Sequence, residues 1–155
     1  MRVVLQRVSE AAVCAGAASQ SIGQGLTVLF GAGEQDDSRH MRKLAQRTAC
    51  LRIFEDSEGK MNLSAADKGY EILVVPNFTL FADTSRGLRP SFIKAAQPDK
   101  ARMLFEMYVQ AVREFLPPEK VKQGYFGESM ALDMSCDGPV TIIIDTKDWE
   151  KDDKE

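Results

Sequence analysis

Apolar, β-branched runs recur along this chain, at both ends and in its middle, and they constrain its fold more than any other feature. They are Val3 to Val8, Leu26-Thr-Val-Leu-Phe30, Tyr70-Glu-Ile-Leu-Val-Val75 and Val140-Thr-Ile-Ile-Ile144, joined by the weaker strand candidates Ala11 to Ala15 and Met130 to Ser135. Glycines 23, 25, 31 and 33 bound the second run, and Pro76 ends the third because proline cannot donate to a ladder. Against these strands stand only two helix-length segments. Asp36-Asp-Ser38 opens the first, which reaches about Ile53, with acidic residues at its positive end. Met41, Leu44, Ala45, Thr48 and Leu51 form its core stripe, and Arg39, Lys43 and Arg47 a basic ridge opposite, either solvated or a phosphate contact. Pro98 and Asp99 start the second, whose buried face is Ala101, Leu104, Phe105, Tyr108, Ala111, Val112 and Phe115 and which stops at Pro117-Pro118. Strands in this excess predict an α+β fold, a curved sheet or barrel covered by helices.

The 155 residues suffice for one domain, expected over residues 1–148, with a charged and disordered tail from 149 to 155. No apolar run approaches the ~18 residues of a membrane span, and the N-terminus reads as a strand, not a signal peptide. Cys14, Cys50 and Cys136 are odd in number and widely spaced, as in a cytoplasmic protein with reduced thiols. With one histidine, a multi-histidine metal site is impossible, and the cysteines show no ligand spacing. A Ser-His-Asp or Cys-His device would need His40, which lies among Arg39, Met41, Arg42 and Lys43 and reads as a surface residue of an exposed helical turn. Neither a metal nor a cofactor is expected. Gly31-Ala-Gly33 suggests a dinucleotide fingerprint, but position 36 is Asp36 where the third glycine would fall, so a turn is the reading. The net charge of −3 argues against bulk affinity for nucleic acid. Its distribution is uneven: Arg86, Arg89, Lys94, Lys100 and Arg102 face only Asp99 in sequence, leaving room for phosphate contact at one face.

Two segments break the regular pattern. Pro76-Asn-Phe-Thr-Leu-Phe-Ala-Asp83 follows a strand, where backbone N–H groups come free, Asn77 and Thr79 bring polar side chains and Phe78 a flat face for a base. The plainer reading is a strand end with Phe78 in the core. Ser135-Cys-Asp-Gly-Pro-Val-Thr141 joins two strand candidates, and Gly138-Pro139 can adopt a cis bond that turns two carbonyls to one side. The plainer reading there is a hairpin turn.

Those segments resemble the two signature motifs of the D-aminoacyl-tRNA (D-Tyr-tRNA) deacylase family: Asn-Phe-Thr-Leu at 77–80 and Gly-Pro-Val-Thr at 138–141. The resemblance extends through Gln6-Arg-Val8, Leu51-Arg-Ile-Phe-Glu-Asp56, Gly59-Lys-Met-Asn-Leu-Ser64, Ala82-Asp-Thr84, Arg89-Pro-Ser-Phe92, Phe126-Gly127 and Met130. It implies a compact barrel-like mixed β-sheet with two main helices packed outside, dimerised so that two sites lie at the subunit interface. The substrate implied is aminoacyl-tRNA, in the cytoplasm, with no membrane partner. Its terminal adenosine would enter a pocket built from Asn77 to Leu80, with Phe78 holding the base, Thr79 and nearby N–H groups around the ester, and Phe126 and Met130 beside them. Gly138-Pro139, cis and continued by Val140 and Thr141, would reach into the partner's pocket and exclude L-side chains, with Arg7 bracing it. Glycyl-tRNA, lacking a Cβ, would enter too.

The resemblance also accounts for the missing catalytic set. An aminoacyl ester is an activated bond with a neighbouring ribose 2′-hydroxyl, so positioning and oxyanion stabilisation can supply most of the acceleration. Thr79 is then a positioner, since no evident base would activate it as a nucleophile. Two departures from the family pattern stand out: Pro76-Asn77 where Ser-Gln is usual, and Cys136 where asparagine is common before Asp-Gly-Pro. A paralogue with relaxed chirality, acting on glycyl or small L-aminoacyl esters, and a non-catalytic binder of the acceptor end are the alternatives.

Overall fold

One long strand organises the sheet. In the computed structural model, which describes residues 1–149, β1 (Arg2–Ala15) pairs along one edge first with β3 (Gly25–Gly31) and then with β2 (Ala18–Ile22). Along its other edge it pairs with β8 (Ala131–Asp145) from Arg2↔Asp145 to Cys14↔Ala131, all antiparallel. Beyond β3 the sheet continues in parallel through β6 (Glu71–Pro76) to β7 (Val121–Gln123). β2 comes back against β6 and β7, so the mixed sheet nearly closes into a barrel. A separate small ribbon joins β4 (Phe54–Glu55) to β5 (Met61–Leu63).

Helices α1 (Met41–Cys50) and α3 (Pro98–Val112) pack outside the barrel, with a single-turn α2 (Ala65–Lys68) between them in sequence. Their buried residues follow the anticipated stripes. Met41, Leu44, Ala45 and Thr48 are buried on α1, and Ala101, Leu104, Phe105, Tyr108, Ala111 and Val112 on α3. Leu51 and Phe115 lie just past the helices and are half-buried against the same core. Tyr108 stacks on Phe30 of β3 at 4.8 Å, and its hydroxyl, pushed up in pKa by burial, finds its partner in Thr48 at 2.5 Å. No helix among the described residues is long and apolar enough to cross a membrane.

The first helix starts later than its acidic residues suggest. Asp36 is buried, accepts from the Gly33 amide at 2.6 Å and pairs with the Met1 ammonium at 2.5 Å. That ammonium also donates to Thr146 Oγ1 at 2.6 Å. A contact with the helix dipole is worth ~0.3–1 kcal/mol at an exposed end; a buried ammonium needs a counter-charge far more. His40 occupies the N-cap position and is half-buried, its ring edge-on to Trp149 at 5.8 Å. Trp149, placed in the tail by the sequence reading, packs against the core and under the Lys43 ammonium at 4.6 Å. The rest of that tail, 150–155, lies outside the described residues.

The two strand candidates at the N-terminus are one strand, and so are the two at the C-terminus. Gly138-Pro139 is therefore no hairpin turn. Both halves of β8 pair with β1 and run in the same direction.

Candidate active site

The ladder between β1 and β8 passes from Gln6↔Thr141 directly to Val8↔Cys136, so Arg7 alone faces the four residues 137–140. These bulge out of the sheet. Gly138 adopts φ +127, open to glycine alone in practice, and the Gly138–Pro139 bond is cis. Arg7, nearly buried, holds the bulge from beneath. Its Nε donates to the Asp137 carbonyl at 3.2 Å and pairs with the Asp137 carboxylate at 3.2 Å, and Nη1 donates to the Ile53 carbonyl at 2.7 Å. On the far side Val140 packs against the core, and the Thr141 hydroxyl donates to Gln6 Oε1 at 2.7 Å. Pro139 itself is exposed.

The other segment sits where β6 ends. The Asn77 amide donates to the Phe30 carbonyl at 2.7 Å, and the chain then turns through one 3₁₀ helix, Phe78–Phe81. The turn lies flat on β3 because Gly31 has no side chain: a Cβ there would come within 3.0 Å of the Asn77 carbonyl and 3.1 Å of Leu80 Cβ. Arg2 Nη1 donates to the Leu80 carbonyl at 2.7 Å, which fixes the turn from below. The first bond of the turn is donated by Leu80, so the N–H groups of Phe78 and Thr79 precede it and are left without a backbone acceptor, as at any helix start. Pro76 has no N–H to add to them.

Phe78 is 56% exposed, so it is not a core residue, and it meets Phe92 edge-on with centroids 5.2 Å apart. Together with Pro76, Asn77, Phe126 and Met130, these two rings line a cleft of about 620 Å³. Arg102 lies over the Phe126 ring at 4.7 Å, and Met130 Sδ accepts from the Tyr125 amide at 3.3 Å, so two walls of the cleft are held in place. Thr79 Oγ1 donates to Asn77 Oδ1 at 2.5 Å. An amide oxygen does not take that proton, so this contact orients the hydroxyl without activating it.

Phe78, Asn77, Phe126 and Met130 thus come together, with Thr79 and Leu80 on the adjoining turn. Arg7, Gly138, Pro139, Val140 and Thr141 form a second group. The two do not meet within the chain. Arg7 lies opposite Leu26, at the start of β3, whereas the cleft opens beyond Phe30↔Pro76 at its end. Four residues of strand separate them, about 13 Å at ~3.3 Å per residue. Phe92 is the wall residue that periodicity missed, since nothing local in Arg89-Pro-Ser-Phe92 announces it; Gln97 and Ser129 also line the cleft unannounced.

A family model described as D-Tyr-tRNA(Tyr) deacylase matches residues 4–145. The protein called D-aminoacyl-tRNA deacylase in Dehalococcoides mccartyi is 48% identical over 149 residues, 96% of either chain. Its counterpart in Akkermansia muciniphila is 44% identical over 155 residues, spanning 97% of this chain and all of the relative. The solved structure of a c-Myc DNA unwinding element binding protein superposes with a TM-score of 0.88 at 35% identity, covering 94% of this chain and 98% of that one. The match takes in both segments from which the site is built, and the chain belongs to the D-Tyr-tRNA(Tyr) deacylase family.

Proposed function

We propose that this chain hydrolyses the ester between a tRNA and a D-amino acid, as a cytoplasmic homodimer in which the bulge of one protomer completes the cleft of the other. The observation that carries the reading is the placement of the two segments. Each is built and braced, yet about 13 Å of strand holds them apart in one chain. A two-fold axis would bring bulge to cleft twice at once. β8 offers the surface for it. Among the described residues its outer edge pairs with no strand, most of its residues are exposed, and Met134 and Ile143 are among the exposed apolar ones. Soluble proteins cover an edge of that length.

In this site the terminal adenine lies on the open face of Phe78, with Phe126 and Met130 as apolar walls. The Phe78 and Thr79 N–H groups meet the ester oxygen as negative charge develops on it. Water attacks the carbonyl carbon, the bond to the ribose oxygen breaks, and that oxygen leaves with a proton, assisted by the neighbouring 2′-hydroxyl. The partner's bulge presents its carbonyls to the substrate ammonium. An L-side chain would be driven into that main-chain rim, while D-residues point away and glycine has nothing to exclude.

The test is cleavage by purified protein of one tRNA charged with D-Tyr or L-Tyr, and of glycyl-tRNA. Loss of D-Tyr and glycine with L-Tyr intact is expected. Cleavage of L-Tyr as well would mean that Pro76-Asn77 and Cys136 have opened the site, and intact esters throughout would leave a binder. Thr79→Ala is expected to keep kcat within ~10-fold of the parent, because the threonine only orients its neighbours; a folded but inactive variant would restore the nucleophile. Mixing a Gly138→Ala protein with a Phe78→Ala protein tests the shared site. Heterodimers rebuild one intact site, about a quarter of all sites in a random mixture, whereas sites confined to one chain would recover nothing.

A further inference from the structure

Between the two rings of the cleft the chain makes an excursion that the site itself does not use. It leaves two residues after Phe81 and returns one residue before Phe92, and Asp83 and Ser91 close its base by exchanging both backbone hydrogen bonds, at 2.8 and 2.9 Å. The Asp83 carboxylate staples it. It pairs with Lys94 at 2.7 Å and accepts from the Ser85 hydroxyl and amide at 2.6 and 3.0 Å, and these partners, Lys94 foremost, hold its carboxyl well below the usual range. The loop so closed, 84–90, carries Arg86, Leu88 and Arg89 on its exposed tip, Leu88 wholly so.

The basic residues of this stretch divide into two kinds. Lys94 is spent on Asp83, Lys100 donates to the Glu34 carbonyl at 2.6 Å, and Arg102 covers Phe126. Arg86 and Arg89 have no ion-pair or hydrogen-bond partner among the described residues. Two unpaired guanidinium groups three positions apart on one exposed loop make no polar contact with the fold and repel each other. They lie on a protein of net charge −3, on the loop between the cleft's Phe78 and Phe92, beside the opening that a terminal nucleotide would enter. With four residues from either stem to its tip, the loop extends at most ~14 Å. That reach is enough to meet backbone phosphates preceding the terminal nucleotide, each of which carries a negative charge.

Resting on the proposed function, we infer that the 84–90 loop is the docking element for the tRNA backbone: Arg86 and Arg89 grip phosphates of the nucleotides preceding the terminal adenosine, with Leu88 against a ribose or base between them. The loop therefore acts on binding of the nucleic acid, not on the ester.

The experiment compares the parent with Arg86→Ala/Arg89→Ala and Arg86→Lys/Arg89→Lys. Affinity for uncharged tRNA is measured against salt, and cleavage is measured on D-tyrosyl-tRNA and on D-tyrosyl-adenosine, which keeps the ester and loses the rest. The alanine pair is expected to weaken tRNA binding at least ~10-fold and to flatten the salt slope by between one and two units. Its kcat/KM should fall on the tRNA through KM and stay within about two-fold on the adenosine ester, and the lysine pair should recover most of the loss. Unchanged tRNA affinity and salt slope, or equal losses on the two esters, would overturn the loop's role. Should the parent cleave neither ester, the hydrolase reading fails, while the binding measurements still decide the loop.

Discussion

Gly138→Ala is expected to lower kcat/KM for D-tyrosyl-tRNA by at least ~100-fold while the protomer stays folded. A Cβ at this position would lie 2.7 Å from the Val140 amide and 2.9 Å from Val140 Cγ2, at a φ of +127 that L-residues rarely adopt. Such a conformation costs a residue with a side chain on the order of 1–3 kcal/mol. Val140 is half-buried against the core while 137–139 is exposed, so the strain is relieved by movement of the 137–139 segment. In the proposed site it carries the carbonyls that would meet the substrate, and ~1 Å of misplacement in a positioned site costs on the order of 100-fold. The flanking ladder, Gln6↔Thr141 on one side and Val8↔Cys136 on the other, is untouched, so the circular dichroism spectrum should be unchanged. Activity within three-fold of the parent would place the bulge outside the site.

Asp36→Ala is expected to be the most destabilising single change away from the site, by about 3–5 kcal/mol in urea unfolding. Met1 is 1% exposed, and the substitution leaves its ammonium buried without a counter-charge while removing the acceptor of the Gly33 amide. Asp36→Asn keeps the shape and not the charge, and should fall between parent and alanine. The pH dependence has a definite sign. Burial, opposed by Asp36, brings the amine below its usual pKa of 8.0, so the folded chain releases that proton at lower pH than the unfolded one. Between the lowered pKa and about 8 the unfolded state binds more protons, and stability should rise with pH through that window and level off above it. Without Asp36 the amine falls further, and the variant's deficit should be largest in acid and narrow as pH rises. A deficit that ignores pH would mean that the lost Gly33 bond, not the charge, carries the effect.

Which elements were legible follows from how local their causes are. β3 and β6 are apolar on both faces because they run through the middle of the sheet, and α3 shows its period because one face packs on β3. β2 is held by pairing with β1, and its Ala-Ser-Gln-Ser-Ile has no alternation to betray it. The breaks read at Ser9-Glu10 and at Ser135 to Pro139 are real features of polarity and not of direction. An exposed strand tolerates polar residues, and only the partner strand decides whether the chain turns back. Asp36 misleads for the same reason, since its partner is 35 positions away in sequence at Met1. At the site, Phe78, Asn77, Thr79 and the glycine–proline pair are visible as motifs. That the two motifs stand at opposite ends of β3 depends on three pairings among four strands, which no single segment carries.

A side-chain pocket can be retuned by exchanging any residue that lines it. The rim that β8 throws out opposite Arg7 is made of peptide groups, and its form rests chiefly on the glycine's backbone conformation and on the arginine that holds the Asp137 carbonyl. Cys136, which stands just before that rim, is exposed. If that rim sets the selectivity proposed above, mutational drift along this segment should be silent at most positions and abrupt at two, so that a lineage would hold its handedness almost unchanged until it lost it in a single step.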